Sequence, residues 1–378
     1  MQVSKRYPDN DQQSLLETAE SYLRESVAPL ASEIDSAPEV LREALKGLSV
    51  RVASAKPNRT LLGLRIPKSW GGLEVSSTTF PYFQQLVARY SGALAFLQNQ
   101  HQSAGAMIVY SENESLKHQY LPKLAKGQVL VGIGFSQVRR TGNPLVKAIP
   151  VDGGYQISGK VPWVTGFSIF QEFIIGAVLP DGREVYGMVP FTPTCQDAGG
   201  TITFSKPMAL AAMQSTNTVS ATLTDWFLPE ERVVSIAKAG AIHENDQKKV
   251  LSTGFLALGC AQAGLDIVEA AAKTKELDFL YNAFESLNGE LIRCQTAMLE
   301  AAQGDSQTFE QRLQLRTWAI NLAGRCAQAA VTVSSGAANY KHHPAQRVYR
   351  EALVFTVSGQ TTAMMEGTLA RLVNVSCG

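Results

Sequence analysis

Paired cysteines are missing from this chain. Its five cysteines (Cys195, Cys260, Cys294, Cys326 and Cys377) lie scattered, with no CxxC among them. That argues against a structural zinc site and for free thiols in a reducing compartment. An excess of charge is missing too: 34 Lys and Arg stand against 33 Asp and Glu, a net +1. Nothing in that balance draws the chain to nucleic acid or to an anionic membrane surface. The first residues, MQVSKRYPDNDQQ, have no apolar core and do not read as a secretory signal, so the expected location is cytoplasmic. Long apolar runs are few. The longest, Leu251–Ala272, is rich in Gly and Ala and carries Gln262, Asp266 and Glu269, which suits a buried helix better than a membrane span. No internal repeat or low-complexity tract appears. The composition, 45% hydrophobic and 18% charged, is that of a globular protein, and 378 residues leave room for two or three domains.

The pattern divides the chain into three. Residues 1–127 read as helical: Leu15, Ala19, Tyr22, Leu23 and Val27 recur at helical spacing, and Glu39–Lys46, Thr78–Tyr90, Leu94–Tyr110 and Leu116–Leu124 continue the series. Pro122 is expected to end the last of these early. Asn58–Gly72, with Pro67 and Gly71-Gly72, reads as an irregular crossing segment. Residues 128–235 change character. Val129–Phe135, Gln156–Ser158, Phe173–Val178, Val185–Val189, Thr201–Phe204 and Ser220–Phe227 are short, β-branched or aromatic, and separated by turn signals, which predicts a small barrel or sandwich. Residues 236–378 return to long Ala- and Leu-rich runs at 248–273, 284–303, 307–340 and 345–374, broken at Gly304-Asp305. Such runs predict a four-helix bundle. The fold class is therefore α+β and multidomain.

One stretch of the β region stands out. Tyr155–Gly166, YQISGKVPWVTG, holds two strand-like runs with Trp163 and Thr165 close together on the second. Residues two apart on a strand share a face, so a flat ring and a hydroxyl are expected side by side. That pair suits a planar ligand with a polar edge, such as a flavin. It also suits an ordinary hairpin with a packed Trp.

Helices, then a small β domain, then a bundle is an unusual order, and with the local motifs it resembles the acyl-CoA dehydrogenase family along nearly the whole chain. IPKSWGGLEV is similar to that family's crossing segment, and HQYLPKLAKGQVLVGIGFS to its run from the last N-terminal helix into the first strand. YQISGKVPWVTG resembles its Ser/Asn-Gly-Lys-x-Trp-Ile-Thr strand, with one extra residue before the Trp. ALGCAQAGLD resembles the opening of its first bundle helix, and the tract from Pro344 to Leu372 its closing helices. The resemblance implies a flavin, FAD or alternatively FMN, and an acyl-CoA substrate that loses its α-proton to a base and its β-hydrogen as hydride to the flavin. It implies that Phe135, Ser136, Trp163 and Thr165 cradle the flavin ring, with Gly336 and Thr361 as further cofactor contacts. It also implies a homodimer or homotetramer built on the C-terminal bundle.

The departures from the family pattern are as informative. The family's catalytic Glu stands nine residues after an Arg in Arg-Asp-Ala and opens a Glu-Gly-Thr turn. Here Arg350-Glu351-Ala352 fits the Arg end, and the ninth residue on is Gly359, with Thr361 at the Thr position. Met365-Glu366-Gly367-Thr368 restores the turn only by a seven-residue insertion, about 10 Å of helix. Glu366 is thus a fallback base, displaced from the expected spot. Lys249 falls near the alternative base position on the first bundle helix. The family's Arg-x-x-Phe-Gly loop, which reaches the FAD pyrophosphate, has no counterpart, and its Gly-Gly-x-Gly turn keeps only Gly336. Arg139-Arg140 follows Ser136 and could clamp a substrate phosphate, or be a solvated loop pair. His342-His343 lacks the partners of a metal site. Two classes of function follow. One is a flavin-dependent oxidoreductase with a non-standard base, or a flavin monooxygenase of the same fold. The other is a non-catalytic binding or assembly protein.

Overall fold

The computed structural model describes residues 10–50, 59–304 and 306–373. Cys377 and Asp305 lie outside them. The N-terminal part is helical: α1 (Asn10–Tyr22), α2 (Ala31–Ser36), α3 (Pro38–Val50), α4 (Thr79–Tyr90), α5 (Gly92–Val109) and α6 (Glu114–Ala125). The strands follow: β1 (Val131–Gly134), β2 (Val146–Val151), β3 (Gly154–Val164), β4 (Glu172–Val178), β5 (Glu184–Pro190), β6 (Thr194–Cys195), β7 (Thr201–Phe204), β8 (Val219–Pro229) and β9 (Val233–Ala237). The chain then returns to helix in α7 (Ala241–Lys248), α8 (Gly254–Lys275), α9 (Asp278–Gln303), α10 (Phe309–Ser334), α11 (Pro344–Val357) and α12 (Thr362–Val373).

Local chemistry sets many of these boundaries. Ser91 accepts from the Leu94 N–H to open α5, and Asn113 accepts from Leu116 to open α6. Thr308 and Gln311 form a reciprocal capping box at the start of α10. Pro344 stands in the first turn of α11, where its missing N–H costs nothing. Pro122 does not end α6, which runs through it to Ala125. The apolar run 345–374 is two helices: Gly359, at φ +62°, breaks it. Strand β2 escapes a reading based on β-branched runs because it carries Pro150, and β9, Val233–Ala237, was not expected either.

The strands form one sheet in the order β6-β7-β8-β3-β2-β4-β5-β9, with β1 pairing to β4 in parallel. The sheet curls until β8 and β5, four apart in that order, face each other: Leu228 packs directly over Gly187. One core runs from α1 through the sheet to α12, and a second lies under α6, β1 and β9. The bundle is built around α8, which packs on α4 and α10, and Arg89 of α4 holds Asp266 of α8 through two bonds of 2.7 and 2.9 Å.

Candidate functional site

The exits of β1 and β3 open at one place on the sheet. A side chain at Gly132 would put its Cβ 3.3 Å from the Thr165 carbonyl oxygen and 2.7 Å from the Phe170 ring, so β1 passes against the end of β3 only because this residue is Gly. Beyond β1 the chain turns at Phe135 into a short 3₁₀ turn, Ser136–Arg139, that packs beside β3. The Ser136 hydroxyl is exposed there.

The motif strand β3 departs from simple alternation. Its buried residues, Gly154, Ile157, Val161 and Val164, do not follow the period of two expected of a strand. Two irregularities against β8 account for this. Val161 pairs with Ala221 and Val164 with Val219, so three steps on β3 oppose two on β8. The extra residue that the motif comparison exposed is taken up in this bulge at Pro162-Trp163, where a proline without an N–H costs no ladder bond. The bulge throws Trp163 outward, 49% exposed, while Thr165 is 7% exposed and shares a 3.1 Å hydrogen bond with the Thr218 hydroxyl. An aromatic ring standing half in solvent beside buried and exposed hydroxyls is a platform with polar groups along one edge. Phe135 contributes little ring surface to it. Its ring packs edge-on to Tyr186 at 5.4 Å and lies 5.9 Å from the Arg139 guanidinium carbon, leaving its main chain at the mouth.

From Ser136 a line of charges leads into the bundle. Arg139 is bound to Asp246 of α7 by two bonds, 2.7 and 2.9 Å, so it is committed to an internal pair; Arg140 is exposed. Asp246 in turn lies within electrostatic reach of Arg316 on α10. Arg316 is 5% exposed, and its pKa falls to about 10, chiefly through burial. It donates to the Val250 carbonyl at 3.2 Å, to Ser358 at 2.6 Å and to Gly359 at 3.2 Å. Its Nε finds no partner, and among the described residues no carboxylate pairs with it. This guanidinium bridges the turn between α7 and α8, where Lys249 lies, and the turn between α11 and α12, where Gly359 lies. Burial and the Arg65 guanidinium lower the Lys249 pKa, against the pull of Asp246. Sequence reading missed Arg316. Its signal was an Arg on the buried stripe of Leu313, Thr317 and Ile320.

The remaining candidates lie elsewhere or have structural partners. Thr361 accepts from the Met364 N–H and caps α12. Met364, Gly367 and Thr368 of α12 are turned inward, with Gly367 against Thr317, and Glu366 is exposed on another face. Gly336 belongs to the 3₁₀ turn Ser335–Asn339, about 27 Å along α10 from Arg316. The link between α8 and α9 is only Glu276-Leu277, so no phosphate-binding loop fits there. His101, buried on α5, accepts from the Val131 N–H at 3.3 Å and pins β1; burial lowers its pKa to about 4. Among the described residues no His, Cys, Asp and Glu cluster could hold a metal.

Helices, a β-sheet domain and a helical bundle in this order are the architecture of the acyl-CoA dehydrogenases. A butyryl-CoA dehydrogenase of Megasphaera elsdenii superimposes with a TM-score of 0.79 over 97% of this chain and 99% of that one, at 16% identity. A glutaryl-CoA dehydrogenase of Mycobacterium smegmatis, solved in complex with FADH2, superimposes with 0.79 over 97% and 95%, at 14% identity. The family profile for the acyl-CoA dehydrogenase N-terminal domain matches residues 9–128. A probable acyl-CoA dehydrogenase of Bacillus subtilis is 22% identical over 96% of this chain and 97% of its own length. A mitochondrial isovaleryl-CoA dehydrogenase of Solanum tuberosum is 23% identical over 96% and 90%. Over nearly its full length the chain is similar to acyl-CoA dehydrogenases, at about 22% identity, and it shares their fold.

Proposed function

We propose that this protein is a flavin-dependent oxidoreductase that binds an acyl thioester and lacks the family's carboxylate base. The observation that carries the flavin is the half-exposed Trp163 ring near the end of β3, two residues from Thr165, with exposed Ser136 on the 3₁₀ turn that packs against β3. Their chemistry fits an isoalloxazine ring: Trp163 offers a face, and the two hydroxyls with the Phe135–Ser136 main chain offer donors to its polar edge. The residues present fit the ring better than the FAD diphosphate, since the α8–α9 link, Glu276-Leu277, has no Arg, which keeps FMN alongside FAD. A bound flavin supplies hydride acceptance. The chain's own residues would hold the ring flat, exclude water with the α7–α8 and α11–α12 turns, and fix the acyl group near Gly359. No proton acceptor stands at that position: Gly359 has no side chain and Arg316 beside it is a cation.

The same observation supports a second reading. A site with a guanidinium in place of a base suits a flavin monooxygenase of this fold or a binding protein without turnover. A visible absorbance spectrum tests the flavin. Anaerobic bleaching by acyl-CoAs then separates the classes: rapid bleaching contradicts the absence of a base at Gly359.

An oligomer belongs to the proposal. Tyr349, Leu353 and Val357 on α11 and Met365, Leu369 and Leu372 on α12 are exposed at helical spacing, forming an apolar face that a second copy would cover.

A further inference from the structure

We propose that the seam between Arg316 and Gly359 is an anion site that takes a carboxylate carried by the acyl group of the ligand. The inference rests on the reading that an acyl thioester binds here. Arg316 is nine-tenths buried, yet its protein partners are three main-chain carbonyls, which offer only partial charges. A buried cation without a counter-charge is unfavourable, and proteins pair such groups with a carboxylate of their own or of a ligand. The nearest internal candidate, Asp246, is already bound through both oxygens to Arg139. Lys249 and Arg65 add positive charge to the same region, each with its pKa lowered by desolvation.

The seam also has room. A Cβ at Gly359 would meet a single heavy atom within 4 Å, the Arg316 Nη2 at 3.3 Å. Gly359 is itself exposed, so this side of the guanidinium opens to solvent, from which a ligand can reach it. The ligand class follows from position. On this reading the seam lies next to the carbons that react, so a carboxylate reaching it is one or two bonds from them. That describes a short acyl thioester with a second, free carboxylate.

Calorimetric titration with length-matched pairs tests this: malonyl-CoA against propionyl-CoA, and succinyl-CoA against butyryl-CoA. We expect at least one carboxylate-bearing thioester to bind tighter than its neutral partner by about tenfold or more, the scale of one charged hydrogen bond. Arg316→Gln should abolish the preference. Gly359→Glu, which supplies a carboxylate from the chain itself and leaves Arg316 in place, should abolish it as well and serves if the first variant does not fold. Equal binding within both pairs overturns the anion site and leaves thioester binding standing. No binding by any of the four overturns both. A preference that survives in a folded variant also overturns the assignment to Arg316.

Discussion

Glu351 and Arg347 on α11 offer the sharpest test of how the bundle is held against the N-terminal helices. Glu351 is fully buried; its Oε1 accepts from Arg347 at 2.7 Å and from the Gly92 N–H at 3.0 Å. Burial raises the Glu351 pKa, and Arg347 pulls it back. Arg347→Met leaves the carboxylate with one N–H and no cation. Removing one partner of a buried pair costs about 3–5 kcal/mol. For 378 residues, about 2.1 cal/mol/K per residue gives an unfolding entropy near 0.8 kcal/mol/K, so a cooperative Tm falls by about 4–6 °C. Arg347→Met with Glu351→Gln should recover most of that, because no charge stays buried and the amide oxygen still accepts from Gly92. The single variant should also depend on pH. With Arg347 gone the folded pKa of Glu351 rises further above its unfolded value. The folded state then holds a proton that the unfolded chain releases, so the deficit shrinks as pH falls from 8 towards 5. Differential scanning calorimetry of the wild type, Arg347→Met, Glu351→Gln and the double variant reads all of this. Losses that simply add in the double variant would refute the coupling.

Other consequences follow from single residues. His101 has a folded pKa of about 4 against about 6.5 unfolded, so the unfolded chain takes the proton first as pH falls. Its contribution is complete above pH 6.5 and is lost towards pH 4. Urea melts should show about 2–3 kcal/mol less stability at pH 4.5 than at pH 7, and His101→Gln should reduce that difference. Leu353→Asp with Leu369→Asp places charge on the exposed apolar face of α11 and α12, and light scattering should report a smaller species than the wild type. Glu366→Gln should leave any acyl-CoA-driven bleaching unchanged in stopped-flow traces, since Glu366 stands on an exposed face of α12. A loss of several orders of magnitude would make it the base.

Much of the architecture was readable because the helices are long and periodic. Leu94–Tyr110 lies within one residue of α5 at its C-terminal end, since Ser91 and the apolar run after it leave little choice. The strands were read less fully. β3 was seen as fragments because two bulges destroy its alternation, and β2 was not expected because its run carries Pro150. At the candidate site, Trp163 and Thr165 were legible as neighbours from spacing alone. Their different exposures were not, because the bulge at Pro162-Trp163 depends on pairing with β8. Gly359 was legible as a glycine at the turn between the last two helices. What faces it was not: Arg316 lies 43 residues earlier on another helix, and only tertiary packing brings it to the turn. The commitment of Arg139 to Asp246, 107 residues away, is of the same kind.

The central claim is that the Trp163–Thr165 mouth holds a flavin. The most direct measurement is the visible spectrum of the purified protein after incubation with FAD or FMN and removal of free cofactor. The account predicts bands of an oxidised flavin in the wild type, and their loss or strong weakening in Trp163→Ala. A wild-type protein that stays colourless with both cofactors would contradict it.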